Sequence, residues 1–302
     1  MASGNPKARG GREPEPGLSH PCYRGVRLTA ADAEAGWRLS TEADWNQTDA
    51  DWRFLLAAGN GFGFEDRLGT LVASAVLLPY GEQVAWVGMV LVTAAARRQG
   101  LATQLLEQAM RLARARRLPL LLDATDAGQA VYRPLGFREV GRVTRWRAEA
   151  PTAQAPLLAV EPIGTAADLE RWAKRDAAGF GADRSVLLQA LRASRPDLAR
   201  QVSGKTGEGT GYCLGRSGRT ATQIGPVVAG TDAAARALLS AALAHTRGPV
   251  LVDAREGQAG FERELVVGGF RPERSFVRMA VDLTGGFGRP DYGYATAGPE
   301  FG

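Results

Sequence analysis

Apolar residues fill positions 84–92 almost without a break, and from Leu101 the spacing changes. Leu105, Leu106, Ala109, Leu112 and Ala113 then recur at helical intervals up to residue 116. A buried strand followed by a helix is the simplest reading. The same reasoning gives a strand over 25–29, helices over 30–41 and 49–58, the latter capped by Thr48, and strands over 61–65 and 70–78. Pro79-Tyr80-Gly81 supplies a turn, 118–123 a short buried strand and 128–134 a brief helix. After Pro151 and Pro156 the plan resumes, with strands over 157–163, 211–216 and 220–229 and helices over 166–178, 183–193 and 233–245.

The two runs are repeats of one another. Val87-Gly88-Met89-Val90 aligns with Ile224-Gly225-Pro226-Val227, Leu105-Leu106 with Leu238-Leu239, and Asp123-Ala124 with Asp253-Ala254. Gly128-Gln129-Ala130 aligns with Gly257-Gln258-Ala259, and Gly136-Phe137 with Gly269-Phe270. The order is conserved throughout. The division expected is a disordered leader over 1–20, a first domain over 21–150, a linker over 151–156, a second domain over 157–284 and a tail over 285–302. That tail, ending Pro299-Glu300-Phe301-Gly302, reads either as a plain extension or as a segment packed across both domains that finishes a pocket.

Composition narrows the chemistry. The chain has 302 residues, 45% hydrophobic and 23% charged, in the ordinary soluble range, and no apolar run approaches a membrane span. With no secretion-signal pattern at the start, the cytoplasm is the default location. Two cysteines, Cys22 and Cys213, and two histidines, His20 and His245, cannot assemble a metal site or a serine–histidine triad. The net charge of +5 comes from scattered arginines without interleaved aromatics, so no nucleic-acid partner is expected.

The chemistry concentrates at the strand-to-helix turn Arg97-Arg98-Gln99-Gly100-Leu101-Ala102-Thr103. A glycine turn opening a helix leaves backbone N–H groups unpaired, and two arginines add charge suited to a pyrophosphate. The turn lacks the Gly-Lys-Ser/Thr of a P-loop and the glycine triplet of a dinucleotide fold. It does resemble the Arg/Gln-x-x-Gly-x-Gly/Ala turn of the GNAT superfamily of N-acetyltransferases. Val131-Tyr132-Arg133-Pro134-Leu135-Gly136-Phe137 is similar to the tyrosine-to-Gly-Phe segment of that family, and the likeness runs from about residue 23 to residue 147.

The resemblance implies an α/β (α+β) fold of two GNAT-like domains, each a mixed, mostly antiparallel sheet flanked by helices. It implies acetyl-CoA as cofactor, its pyrophosphate on Arg97, Arg98, Gln99, Gly100, Leu101, Ala102 and Thr103. The backbone of Val90 and Val92 would hold the pantetheine arm and polarise the thioester carbonyl. Thr125 stands where many members have asparagine and could accept one hydrogen bond from that arm.

Tyr132 aligns with the general acid. With ordinary values near 10 for the phenol and 8.5 for a thiol, its proton transfer is uphill by ~1.5 units unless the site narrows the gap. Where some members carry a glutamate base this chain has Trp86, and the base stays unassigned. Trp45, Asn46 and Gln47, with Tyr80, are acceptor-side candidates, although an amphipathic loop packing one tryptophan reads equally well. Asp183 is expected to cap a helix and Arg184 to be a surface partner, the alternative being a role at the domain interface.

The second repeat spends seven residues (231–237) where the first spends eleven (94–104), lacks the Arg-x-x-Gly, and has Phe261 for Tyr132. One working copy and one degenerate copy are therefore expected. The activity expected is acetyl transfer directly to the primary amine of a small molecule. The alternative is a non-catalytic acyl-CoA-binding sensor or interaction module, and a third acceptor class is a protein N-terminus or lysine. No metal is expected, and the sequence is silent on oligomeric state.

Overall fold

Short turns and period-two patterning in the first repeat generate strands that pair with their sequence neighbours. The computed structural model describes residues 11–156, 158–203, 210–289, 291 and 293–302. Strands β1 (Pro14–Ser19), β2 (Arg24–Leu28), β3 (Asn60–Glu65), β4 (Leu71–Tyr80) and β5 (Val84–Val92) follow one another antiparallel. Between β2 and β3 lie α1 (Ala33–Glu42) and α2 (Asp49–Ala58). Thr48 caps α2: its hydroxyl accepts from Asp51 N at 3.2 Å while Asp51 Oδ2 accepts from Thr48 N at 2.7 Å. A parallel partner for β5 requires a crossover, and α3 (Leu101–Ala115) provides it before β6 (Leu120–Ala124). Then come α4 (Asp126–Tyr132) and β7 (Arg138–Ala148).

The second repeat contributes β8 (Glu161–Pro162), α5 (Ala166–Phe180), α6 (Ser185–Ser194), β9 (Arg200–Val202), β10 (Gly211–Arg216) and β11 (Thr222–Ala229). After these come α7 (Asp232–Leu243), β12 (Val250–Arg255), α8 (Ala259–Val267), β13 (Arg271–Val281) and β14 (Gly293–Ala295). All described strands join one sheet in the order β1-β2-β3-β4-β5-β6-β13-β7-β12-β14-β11-β10-β9-β8.

The order contains an exchange. The last strand of the first repeat, β7, pairs with β12 of the second, whereas β13 pairs with β6 of the first. The two exchanged strands also run against each other through the centre of the sheet. The sequence repeat and the sheet neighbourhoods therefore do not coincide.

Three apolar clusters lie on the sheet. One packs Leu101, Leu105, Leu106 and Ala109 of α3 on Phe62, Phe64 and Val87. Another packs α7 and α8 on β11 and β12, with Trp146 and Ala148 of β7 included. The third spans both repeats: Trp52 and Leu55 from α2, Trp86 from β5, Trp172 and Phe180 from α5, Tyr212 from β10 and Phe301 share it. Truncating a buried aromatic such as Trp86 in a cluster of this kind costs about 3–5 kcal/mol.

Several expectations need correction. Residues 14–19, placed in the leader, form β1 with Leu18 buried, because Pro14 and Pro16 sit on an edge strand where missing donors are tolerated. Residues 1–10 of that leader lie outside the described residues. The strand expected over 157–163 shrinks to β8, with position 157 outside the described residues. Pro79 and Tyr80 belong to β4, and the turn falls at 81–83. Arg184 is interior: it donates to both Asp176 oxygens at 2.7 and 2.9 Å and to the Gly302 carbonyl at 2.8 Å. The tail, of which residues 290 and 292 lie outside the described residues, supplies β14 and then packs across both repeats.

Candidate active site

Strand β5 is the spine of the site. It pairs with β6 at Ala85–Leu120 and Trp86–Leu121, and beyond those pairs the two strands diverge. Its register with β4 slips between Ser74 and Val76, where one extra residue bulges from β5. Met89 sits there at φ 55°, its carbonyl fixed by Ser74 Oγ at 2.9 Å. The bulge and the divergence open a wedge whose β5 edge carries unpaired backbone groups.

At the far end of the wedge is the turn into α3. Arg98 has φ 61° and Gly100 φ 78°, and a Cβ on Gly100 would meet nothing within 4 Å. Among the described residues the N–H groups of Arg98, Gln99, Gly100, Leu101, Ala102 and Thr103 have no hydrogen-bond partner, the first N–H taken by the helix backbone being Gln104 N to Gly100 O at 3.1 Å. Six unpaired donors at the positive end of α3, with open space beside Gly100, fit an anionic diphosphate. The turn is braced: Arg97 Nε donates to Val92 O at 3.2 Å and Gln99 Nε2 to Tyr23 Oη at 3.1 Å. Glu42 of α1 accepts from Thr93 Oγ1 at 2.7 Å and Ala94 N at 2.8 Å, which holds its carboxyl below the ordinary range. Nothing in the spacing of Glu42 pointed to this brace.

At the near end, a cavity opens between the repeats. Trp45, Gln47, Gly88, Met89, Val90, Thr125 and Tyr132 line it from the first repeat, Arg145 from β7, Arg274 and Phe276 from β13, and Pro299 and Glu300 from the tail. Tyr132 projects from the end of α4, and its hydroxyl has no partner among the described residues. Burial pushes its phenol up to about 12, so the site widens rather than narrows the gap to an ordinary thiol. Gly128, one turn earlier, permits this placement: a Cβ there would lie 2.8 Å from Tyr132 Cε2. The Thr125 hydroxyl already caps α4, accepting from Gly128 N at 3.2 Å, and keeps its O–H to donate and one lone pair to accept.

The cavity thus gathers Tyr132, Val90, Thr125, Trp45 and Gln47, and leaves out other candidates. Asn46 is a clasp between the repeats: its Oδ1 accepts from Thr220 N at 2.9 Å and Ala221 N at 3.0 Å, and its Nδ2 donates to Ala221 O at 3.0 Å. Tyr80 is buried beside the tail and donates to Phe301 O at 2.7 Å. Val92 and residues 97–103 belong to the wedge and cradle. Glu300 and Arg145 were missed in the sequence. The matched pairs Asp123/Arg145 and Asp253/Arg278 in the two repeats, charges inside apolar strands, were the available signal for Arg145.

Comparison with known proteins gives this arrangement its family. Residues 25–137 match the model of the acetyltransferase (GNAT) family, and residues 173–285 match an acetyltransferase (GNAT) domain model. The chain is built of two GNAT-family domains in tandem. A relative in Bacillus subtilis (strain 168), the uncharacterized N-acetyltransferase YitH, is 24% identical over 240 residues, 78% of this chain and 83% of that protein. A Pyrococcus horikoshii protein provisionally assigned as an acetyltransferase superposes with a TM-score of 0.78 at 18% identity, covering 96% of this chain and 99% of its own. The tandem GNAT protein from the clavulanic acid biosynthesis pathway gives 0.58 at 17% identity, covering 87% and 99%.

The second GNAT domain repeats the strand geometry with a different outcome. β11 and β12 pair in parallel at Thr222–Val250, Gln223–Leu251 and Ile224–Val252 and then part, as β5 and β6 do. Here the gap holds β14, whose Ala295 pairs with both Val227 and Ala254 and whose Gly293 pairs with Val228. Val227 is the repeat-mate of Val90. Gly225 is required at the entry, since a Cβ there would fall 1.9 Å from Thr296 O.

Proposed function

We propose that the chain is an acetyl-CoA-dependent N-acetyltransferase that moves the acetyl group directly to the primary amine of a small molecule, working through its first domain only. One observation carries the reading: the open wedge joins six free N–H groups at one end to a cavity containing Tyr132 at the other. Arg97, Arg98, Gly100 and the first residues of α3 would hold the pyrophosphate, and Val90 and Val92 the pantetheine arm. Acetyl-CoA supplies an activated acyl group as a thioester. Tyr132 gives its proton to the departing sulfur, and burial keeps the phenol protonated at neutral pH. Because full transfer from so weak an acid to a thiolate is uphill by roughly 5 kcal/mol, the proton must move as the carbon–sulfur bond breaks rather than before it.

The cavity, walled by both domains and the tail, supports a small acceptor over a protein lysine. The filled wedge of the second domain supports a single working copy. Coenzyme A release measured with a panel of small primary amines tests the reading. Turnover with any of them supports it, and tight acetyl-CoA binding with no thiol release points to a sensor.

A further inference from the structure

A buried ion cluster joins the second domain, the tail and α2 beside the cavity. Arg216 of β10 donates through Nη1 to Asp51 Oδ2 at 2.8 Å and through Nη2 to Glu300 Oε1. Relative exposures are 8% for Asp51, 2% for Arg216 and 4% for Glu300, so one cation faces two carboxylates away from solvent. With both carboxyls ionised such a cluster carries a net negative charge, which burial penalises and a further cation would relieve. Glu300 Oε2 is buried and has no hydrogen-bond partner of good geometry among the described residues, the amide of Gln47 being the neighbour that leans on this carboxyl. The other lining carboxylate, Asp123, has both oxygens taken by Arg278 at 2.8 Å.

Glu300 is held firmly. Trp86 Nε1 donates to Pro299 O at 2.9 Å on one side, and Tyr80 Oη donates to Phe301 O at 2.7 Å on the other. Its Cα and carbonyl oxygen press on β5, 3.1 Å from where a Gly88 Cβ would stand. Glu300 therefore lies at the β5 bulge, in the cavity that contains Tyr132.

Resting on the acetyl-transfer reading above, we infer that Glu300 binds the acceptor's ammonium group and takes one proton from it. The ammonium gives that proton to the carboxylate, leaving a neutral amine with a lone pair. As nitrogen bonds to the acetyl carbon and the carbon–sulfur bond breaks, sulfur takes the Tyr132 proton. The second proton leaving nitrogen restores the phenol, and Glu300 returns its proton to solvent. Burial raises the Glu300 carboxyl above its ordinary value against the pull of Arg216, with Asp51 adding to the rise, which makes it a better proton acceptor than a solvated carboxylate.

The test compares the full chain with Glu300→Gln, using phenethylamine as an alkylammonium probe and hydroxylamine as a nucleophile already neutral at pH 7. With phenethylamine the variant is expected to lose ~10²–10⁴ in kcat/KM at neutral pH, the loss shrinking as pH rises toward the amine's own titration. With hydroxylamine it stays within a few-fold of the unaltered chain. Calorimetry without acetyl donor should show phenethylamine binding weakened about tenfold or more, the scale of one charge-assisted contact. The other charged groups lining the cavity are Asp123 of β6, held by Arg278 of β13, Arg145 of β7, held by Asp253 of β12, and Arg274 of β13, while Arg216 of β10 and Asp51 of α2 stand behind Glu300. All of these persist in the variant, as does Tyr132 of α4, so a changed pH profile reports on Glu300. Equal losses with both nucleophiles and an unchanged profile would overturn the assignment, as would no loss at all. If Glu300→Gln fails to bind acetyl-CoA, Glu300→Asp decides: a larger loss with phenethylamine supports the role, and an equal loss overturns it. No release of coenzyme A by the unaltered chain with any amine overturns the acetyl-transfer reading and this one together, whereas normal turnover by Glu300→Gln overturns this one alone.

Discussion

Arg278 of the second repeat holds Asp123 of the first through two parallel hydrogen bonds of 2.8 Å, with the Asp123 side chain fully buried. Its repeat-mate Arg145 makes the reciprocal bond to Asp253, at 2.7 and 2.8 Å. Each exchanged strand is thus fastened to the foreign strand beside it. Removing one partner leaves a buried charge uncompensated, so Asp253→Ala should destabilise the chain by about 3–5 kcal/mol. Replacing both Arg145 and Asp253 by apolar residues of similar size should cost distinctly less. Urea unfolding of the single and double variants measures the difference, and the two domains should unfold in one transition.

Tyr132→Phe should lower kcat by ~10²–10⁴ while acetyl-CoA affinity stays unchanged. The acid works in its protonated form, and burial moves its loss of the proton up to about 12. The unaltered chain should therefore show no alkaline fall in kcat through about pH 10, where an exposed tyrosine would titrate. A pH–rate profile checks this, and a fall centred near pH 10 counts against it.

Gly128→Ala should act through Tyr132 alone. The added carbon would lie 2.8 Å from the ring and 3.1 Å from its hydroxyl, so the ring must move. We expect kcat to drop at least tenfold with KM for acetyl-CoA and thermal stability nearly unaltered, because alanine favours the helix that glycine weakens. Steady-state kinetics beside a melting curve separate these effects.

Arg97→Ala combined with Arg98→Ala should weaken coenzyme A binding by about tenfold to a hundredfold, the scale of charge-assisted hydrogen bonds. Pantetheine, which has no pyrophosphate, should bind both proteins alike. Calorimetry with the two ligands distinguishes a diphosphate cradle from a solvated turn.

Calorimetry should also find one coenzyme A site per chain. The corresponding wedge of the second domain is closed by β14, and opening it would break the pairs to Val227, Val228 and Ala254. A second site of comparable affinity would refute this account of the second domain.

Local signals carried much of this. The β5 boundaries, the start of α3 and the Tyr132 segment follow from apolar runs, a glycine at positive φ and a short helix, each encoded within a few residues. The exchange of β7 and β13 was invisible, because alternation tells which face a residue occupies and nothing about which strand lies beside it. Strand β1 was hidden by Pro14 and Gly17, residues that signal turns as readily as edges. Asn46 and Trp45 are adjacent in sequence, yet one clasps the loop at 220–221 and the other lines the cavity, and only the contact made from the second repeat divides them. Glu300 could not be assigned a role because its partner Arg216 lies 84 residues away.

The exchange of β7 and β13 also bears on how such a molecule can change over time. If chemistry is performed in the front copy alone, the rear copy is free to lose every reactive group, as Phe261 in place of Tyr132 illustrates. It is not free to disappear, because the front copy's sheet is completed by a strand encoded behind it. Duplication would then have produced mutual dependence: a rear copy needed for its backbone, whose side chains are free to shape what the front copy receives.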